Sequence, residues 1–92
     1  MTDIELLQAV KNRLLITGEF HDEALKGFIQ DVKDYLLDSG VLEGVVNDKV
    51  SVGVITRGVS DLWNYGAGNG EFSKIFYERA IQLRYKEVVD NV

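Results

Sequence analysis

The 92-residue chain has no cysteine, no proline, one histidine, one methionine and one tryptophan. Without cysteine there is no disulfide and no thiolate metal site, which suits a reducing compartment. With His21 as the sole imidazole a Cys/His pair is impossible, and a Ser/His/Asp triad would have to be built around one loop histidine. Ser51, Ser60 and Ser73 have better structural explanations, so no catalytic residue is expected and the chain reads as a non-enzyme. Glu19, His21, Asp22 and Glu23 splay apart at their spacing and do not resemble a zinc pattern, so no metal and no cofactor is expected. Clustered lysine and arginine are also missing, which argues against counterion-driven nucleic-acid binding. No apolar run approaches the roughly 20 residues of a membrane span. MTDIELLQAV carries acids where a signal peptide needs bases, so a soluble, intracellular protein is expected. No repeat, low-complexity run or proline-marked linker divides the chain, and its length predicts one domain over residues 1–92.

What is present is 46% apolar residues and a net charge of −5, unevenly placed. Residues 1–48 hold four Lys/Arg against ten Asp/Glu, whereas residues 49–92 hold six against five. An acidic half of this kind either keeps a helical surface soluble or meets a basic neighbour, another copy of the chain included.

The stretch from Asn47 to Gly70 organises the rest. At 100° per residue Val54, Leu62, Ile55, Val59, Val52 and Trp63 share one broad arc that includes Gly58, while Thr56, Ser60, Lys49, Asn64, Arg57 and Asp61 fill the remainder. The pattern predicts a central helix over about 48–65 that touches neighbours on more than one side. Its β-branched residues and two glycines are poor helix formers, so tertiary packing must hold it. The competing reading is a hairpin over VVNDKVSV with its turn at Asn47-Asp48; the 3.6-residue period, continuing to Trp63, favours the helix.

Around this helix the chain predicts three others, giving a compact all-α four-helix domain. Thr2 and Glu5 have capping-box spacing, opening a helix to about Ile16 with Ile4, Leu7, Val10 and Leu14 on one stripe and Leu6 and Leu15 widening it. A second helix, capped at His21 with Phe20 stapled onto Leu25, runs to about Asp38 and turns Leu25, Phe28, Ile29, Val32 and Leu36 inward. Lys26, Gln30, Lys33 and Asp34 are expected to face water, with Asp22 and Lys26 forming an i, i+4 pair. Gly40 suits a left-handed stop, and Val41 to Val46 is either a helical turn or an extended piece. Beyond Tyr65 the glycine-rich loop 66–70 ends the central helix; it lacks the lysine and Ser/Thr of a phosphate-binding loop. Ser73 caps the last helix, with Phe72 and Tyr77 at staple positions and Phe76, Tyr77, Ala80, Ile81 and either Leu83 or Tyr85 as apolar contacts. A loose tail, 86–92, carries Val88, Val89 and Val92 without an obvious core to join. The expected core anchors are Trp63, Leu62, Val59, Ile55 and Phe28. Asn64 and Tyr65, leading into the glycines, are the expected partner contacts.

The runs VKNRLLITGEFHDEALKGFIQDVKDYLLDSGV and VGVITRGVSDLWNYGAGNGEFSKIFYERAIQLRY resemble the small head-tail connector proteins of tailed bacteriophages and prophages of Gram-positive bacteria, over about residues 4–85. The most specific piece is GVSDLWNYGAGNGEFS. The resemblance implies an all-helical head-completion adaptor, without catalytic residues, that assembles as a ring beneath the portal and joins it to the next head-closure or tail-joining protein. It further implies that Tyr85, Val88, Val89 and Val92 engage the portal protein. The implied location is the host cytoplasm during assembly and then the virion neck. In dilute solution a monomer is expected, with the tail ordering on docking. A small helical module that regulates a protein target is the first alternative. A helix-turn-helix nucleic-acid binder is the second, weakened by the lone Arg57 on the central helix's polar face.

Overall fold

The structure, a computed structural model, describes residues 1–65 and 72–86. Its first helix, α1, spans Asp3–Leu14 and opens with a complete capping box. The Glu5 N–H donates to Thr2 Oγ1 at 3.1 Å, and the Thr2 N–H donates to Glu5 Oε1 at 3.0 Å. The Thr2 backbone N–H, and after it the Thr2 side chain, hold the Glu5 carboxyl below the ordinary glutamate value. Leu6 and Val10 are buried, but Ile4 is 81% exposed, so the inward stripe is narrower than its apolar pattern.

The helix also ends earlier than the sequence predicts. Leu15 adopts the left-handed conformation at φ 59°, and the N–H groups of Leu15 and Ile16 bond back to the carbonyls of Asn12 and Lys11. This is a Schellman closure with leucine where glycine is usual. The turn brings Ile16 back against the core and leaves Leu15 in solvent.

Helix α2, Asp22–Asp38, buries Leu25, Ile29, Val32 and Leu36, a single stripe at helical spacing, with Phe28 and Tyr35 half-buried beside it. At 1.5 Å per residue its 17 residues make a rod of about 25 Å. Gly40, at φ 103°, closes it with the same Schellman pattern, from Gly40 N–H to Leu37 C=O and Val41 N–H to Leu36 C=O. The expected pairing of Asp22 with Lys26 is replaced. Asp22 Oδ1 lies 2.8 Å from Lys11 Nζ, a nearly buried ammonium that also donates to the Gly18 carbonyl, and the exposed Lys26 reaches Glu23 instead. Lys11 thus ties the end of α1, the connecting loop and the start of α2 together. Lys33 is not free in water either: its side chain is largely covered and lies 3.6 Å from Asp3.

The hairpin alternative does not form. Val41 leads into a one-turn helix α3, Glu43–Val46, then a 3₁₀ turn over Lys49–Ser51, then α4, Val52–Tyr65. Asp48 caps the 3₁₀ turn through Val50 N–H at 3.0 Å, and the buried Ser51 hydroxyl donates to the Val45 carbonyl. The last helix, α5, spans Lys74–Arg84 and buries Phe76, Ala80 and Leu83. The architecture is therefore all-helical among the described residues: four long helices, plus α3 and the 3₁₀ turn.

Helix α4 packs against α1, α2 and α5. Ile55 and Val59 are fully buried and Leu62 nearly so, while Trp63 and Phe28 stand half-buried at the margin of the core. Gly58 marks the closest approach. A methyl group there would lie 2.7 Å from Phe76 Cε1 and under 3 Å from both methyls of Val32. Two residues assigned to the polar face, Thr56 and Asp61, are buried instead. Thr56 satisfies its hydroxyl by donating to the Val52 carbonyl at 2.7 Å.

Candidate interaction surfaces

Asp61 shows how α4 positions α5. Its carboxylate is 2% exposed, and Oδ2 accepts from the Ser73 N–H at 2.9 Å and from the Ser73 hydroxyl at 2.8 Å. Ser73 Oγ in turn accepts from the Phe76 N–H, capping α5. Arg57 completes the cluster, its Nε 3.7 Å from Asp61 Oδ1 and 3.4 Å from Ser73 Oγ. A buried carboxylate taking two hydrogen bonds and facing a guanidinium is a satisfied structural latch. Next to it Phe72 stacks on Phe76 at 4.3 Å and meets Tyr77 edge-on at 6.1 Å, so the predicted staple forms, with Tyr35 of α2 packed against all three rings.

At the C-terminal end of α4 the structure assembles a row of rings. Trp63 meets His21 edge-on at 4.9 Å, and His21 meets Phe20 in the same manner at 4.9 Å. Phe20 does not staple onto Leu25; it is 92% exposed. Leu15, 89% exposed, belongs to the same α1–α2 connection. Asn64 is exposed beside Trp63 in the chain and donates its amide to Ser60 Oγ at 3.2 Å. The side chain of Tyr65 and the glycine-rich loop 66–70 lie outside the described residues. Phe20, in water and joined through His21 to the edge of Trp63, and the exposed Leu15 are apolar side chains that the sequence pattern had placed inward. The connection itself was legible from Thr17-Gly18; what the pattern could not give was that Phe20 turns away from Leu25.

The second surface lies at the other end of α2. Tyr85 follows the last residue of α5 and is 83% exposed, and Ile81, expected inward, is half-exposed one turn earlier on the same face. Arg84 packs its guanidinium about 3.5 Å from the Cβ position of Gly40, just past the C-terminus of α2. Since His21 caps the N-terminus of α2 and touches Trp63, the ring row and Tyr85 are separated by the length of that helix. Val88, Val89 and Val92 lie outside the described residues.

Among the described residues no group of three or more His, Asp or Glu side chains comes together to hold a metal, and no helix is long and apolar enough to cross a membrane. No family model matches the chain, and neither the curated proteins nor the solved structures yield a match to it.

Proposed function

We propose that this chain is a structural, non-enzymatic adaptor of a tailed-phage particle, docking beneath the portal and joining the capsid to the next head-closure or tail component. The sequence support is the resemblance centred on Asp61-Leu62-Trp63-Asn64-Tyr65-Gly66 and the glycines that follow. The observation that carries the reading is the placement of exposed apolar groups at two opposite ends of α2: Phe20, joined through His21 to Trp63, at one, Ile81 and Tyr85 at the other. A protein that bridges two others needs two separated contact faces. An apolar side chain left in water at each end has much to gain from a partner that covers it.

On this reading Tyr85, with Val88, Val89 and Val92 beyond it, meets the portal protein, and the end bearing Asn64 and Tyr65 meets the next component. Further copies complete a ring around the channel, while the isolated chain is monomeric in dilute solution. No membrane and no sequence-specific nucleic acid takes part. The protein works in the host cytoplasm during assembly and then in the virion neck.

The decisive experiment is co-sedimentation with the cognate portal ring, comparing the full chain with one ended after Tyr85. Binding by the full chain and its loss on truncation are expected. Equal binding by both would move the docking site onto the helices, and binding by neither would overturn the adaptor role.

A further inference from the structure

On the side of α4 that faces away from α2, an open groove of about 450 Å³ runs between α1, α4 and α5. At 100° per residue Gly53, Thr56 and Ser60 fall roughly opposite the Gly58 edge that meets Val32, with Arg57 to one side and the buried Thr56 at the floor, and no residue of α2 lines the groove. Leu14, Val54 and Ile75 supply apolar walls, and three arginines, Arg13, Arg57 and Arg79, stand around it. No carboxylate lines it. Asp61 offsets part of the Arg57 charge from beneath, but Arg13 and Arg79 have no carboxylate partner among the described residues. A chain of net charge −5 has thus gathered three of its ten cations around one concave, partly apolar surface.

The complementary surface is on the same molecule. Asp31, Asp34 and Asp38 recur at helical spacing on α2, on the side away from the buried Val32, and all three are exposed. None pairs with a cation among the described residues; Asp34 accepts only the Gln30 amide, at 2.8 Å. Leu37, partly exposed, lies between Asp34 and Asp38 in the chain. The stripe extends about 10 Å along the helix.

We propose that the arginine groove receives the acidic stripe of α2 from a second copy of this chain. Because the two faces look in opposite directions across the α2–α4 pair, the contact is head-to-tail and leaves a groove open at one end of a linear assembly and a stripe open at the other. Such contacts either propagate or close. Closure into a ring rests on the adaptor reading above; the identity of the two faces rests on their charge and placement alone. The overall acidity of the chain disfavours a nucleic-acid strand as occupant, since the strand would have to approach fifteen acids to reach three arginines.

The test is sedimentation of the full chain, without portal, from micromolar to millimolar concentration at low and high salt. Reversible association that weakens as salt rises is expected. Reversing the groove (Arg13→Glu with Arg79→Glu) or the stripe (Asp31→Lys with Asp38→Lys) should each weaken it at least about tenfold. Mixing the two reversed proteins should restore association with the two chains alternating, since the groove of each is then complementary to the stripe of the other, and one chain carrying all four changes should associate again. The salt series on the unaltered chain needs no variant to fold. A wild-type chain monomeric at millimolar concentration, or association indifferent to both reversals, would overturn the proposal. So would a groove reversal that abolished binding to added single-stranded DNA and left self-association intact. Portal co-sedimentation surviving while these contacts fail would remove the two faces and keep the adaptor role, and the opposite pair of results would do the reverse.

Discussion

Leu15 holds a backbone conformation that L-residues other than glycine enter at a cost of about 1–2 kcal/mol, and its side chain recovers little of that because it stands in solvent. Leu15→Gly should therefore raise stability by about 0.5–1 kcal/mol, after allowing for the greater freedom of glycine in the unfolded chain. The urea midpoint reads it directly. A lower midpoint would mean that the leucine side chain contributes more than its backbone strain removes. Periodicity could not have found this residue, because Leu14, Leu15 and Ile16 are equally apolar and the choice among them is made by which one the chain reversal returns to the core. Asp61 was hidden for a related reason. Its angle on α4 is that of a polar residue, and besides Arg57 one turn earlier it is Ser73, twelve positions away, whose two hydrogen bonds let the carboxylate be buried. Thr2, Gly40 and Ser73 were legible because caps and left-handed stops are local chemistry.

Among the helices, α4 has the weakest propensity and the most neighbours. Gly58 explains the combination: without a side chain there, Val32 of α2 and Phe76 of α5 approach the same turn of backbone. Gly58→Ala should therefore destabilise the protein by about 1–3 kcal/mol, although alanine is the better helix former. Gly27→Ala on α2, where an added methyl meets nothing within 4 Å, should have the opposite sign, gaining about 0.5–1 kcal/mol. Thermal or denaturant unfolding of the pair distinguishes close packing from propensity, and equal effects would remove Gly58 from its place as the contact point. The broad apolar arc of α4 made its central position readable from sequence. Which residue set the distance between helices was not readable, since a glycine in an apolar arc looks the same whether it is crowded or idle.

For the whole molecule, the exposed apolar groups at the two ends of α2 are separable from the core. Phe20→Ser and Tyr85→Ser should each change stability by no more than about 0.5 kcal/mol, as surface substitutions do. On the adaptor reading their effects on binding divide: Tyr85→Ser weakens attachment to the portal, and Phe20→Ser spares it while weakening attachment of the next component. Pull-down of each partner with each variant reads the division. Loss of both partners with either substitution would place the two contacts on one surface. The all-helical class and the order of the long helices followed from hydrophobic period, whereas the surfaces did not. Leu15, Phe20 and Ile81 were expected inward because composition cannot distinguish an apolar residue that packs from one left uncovered.

The latch between Asp61 and Ser73 has a further consequence for how this chain can vary. It fastens both ends of the intervening segment to one buried carboxylate, so the start of α5 is referenced to α4 and not to the residues between them. The entropy of closing such a loop grows only with the logarithm of its length, about 0.6 kcal/mol for each doubling. Length and composition in that stretch are thereby decoupled from the register of the last helix, so the chain can vary there without moving α5.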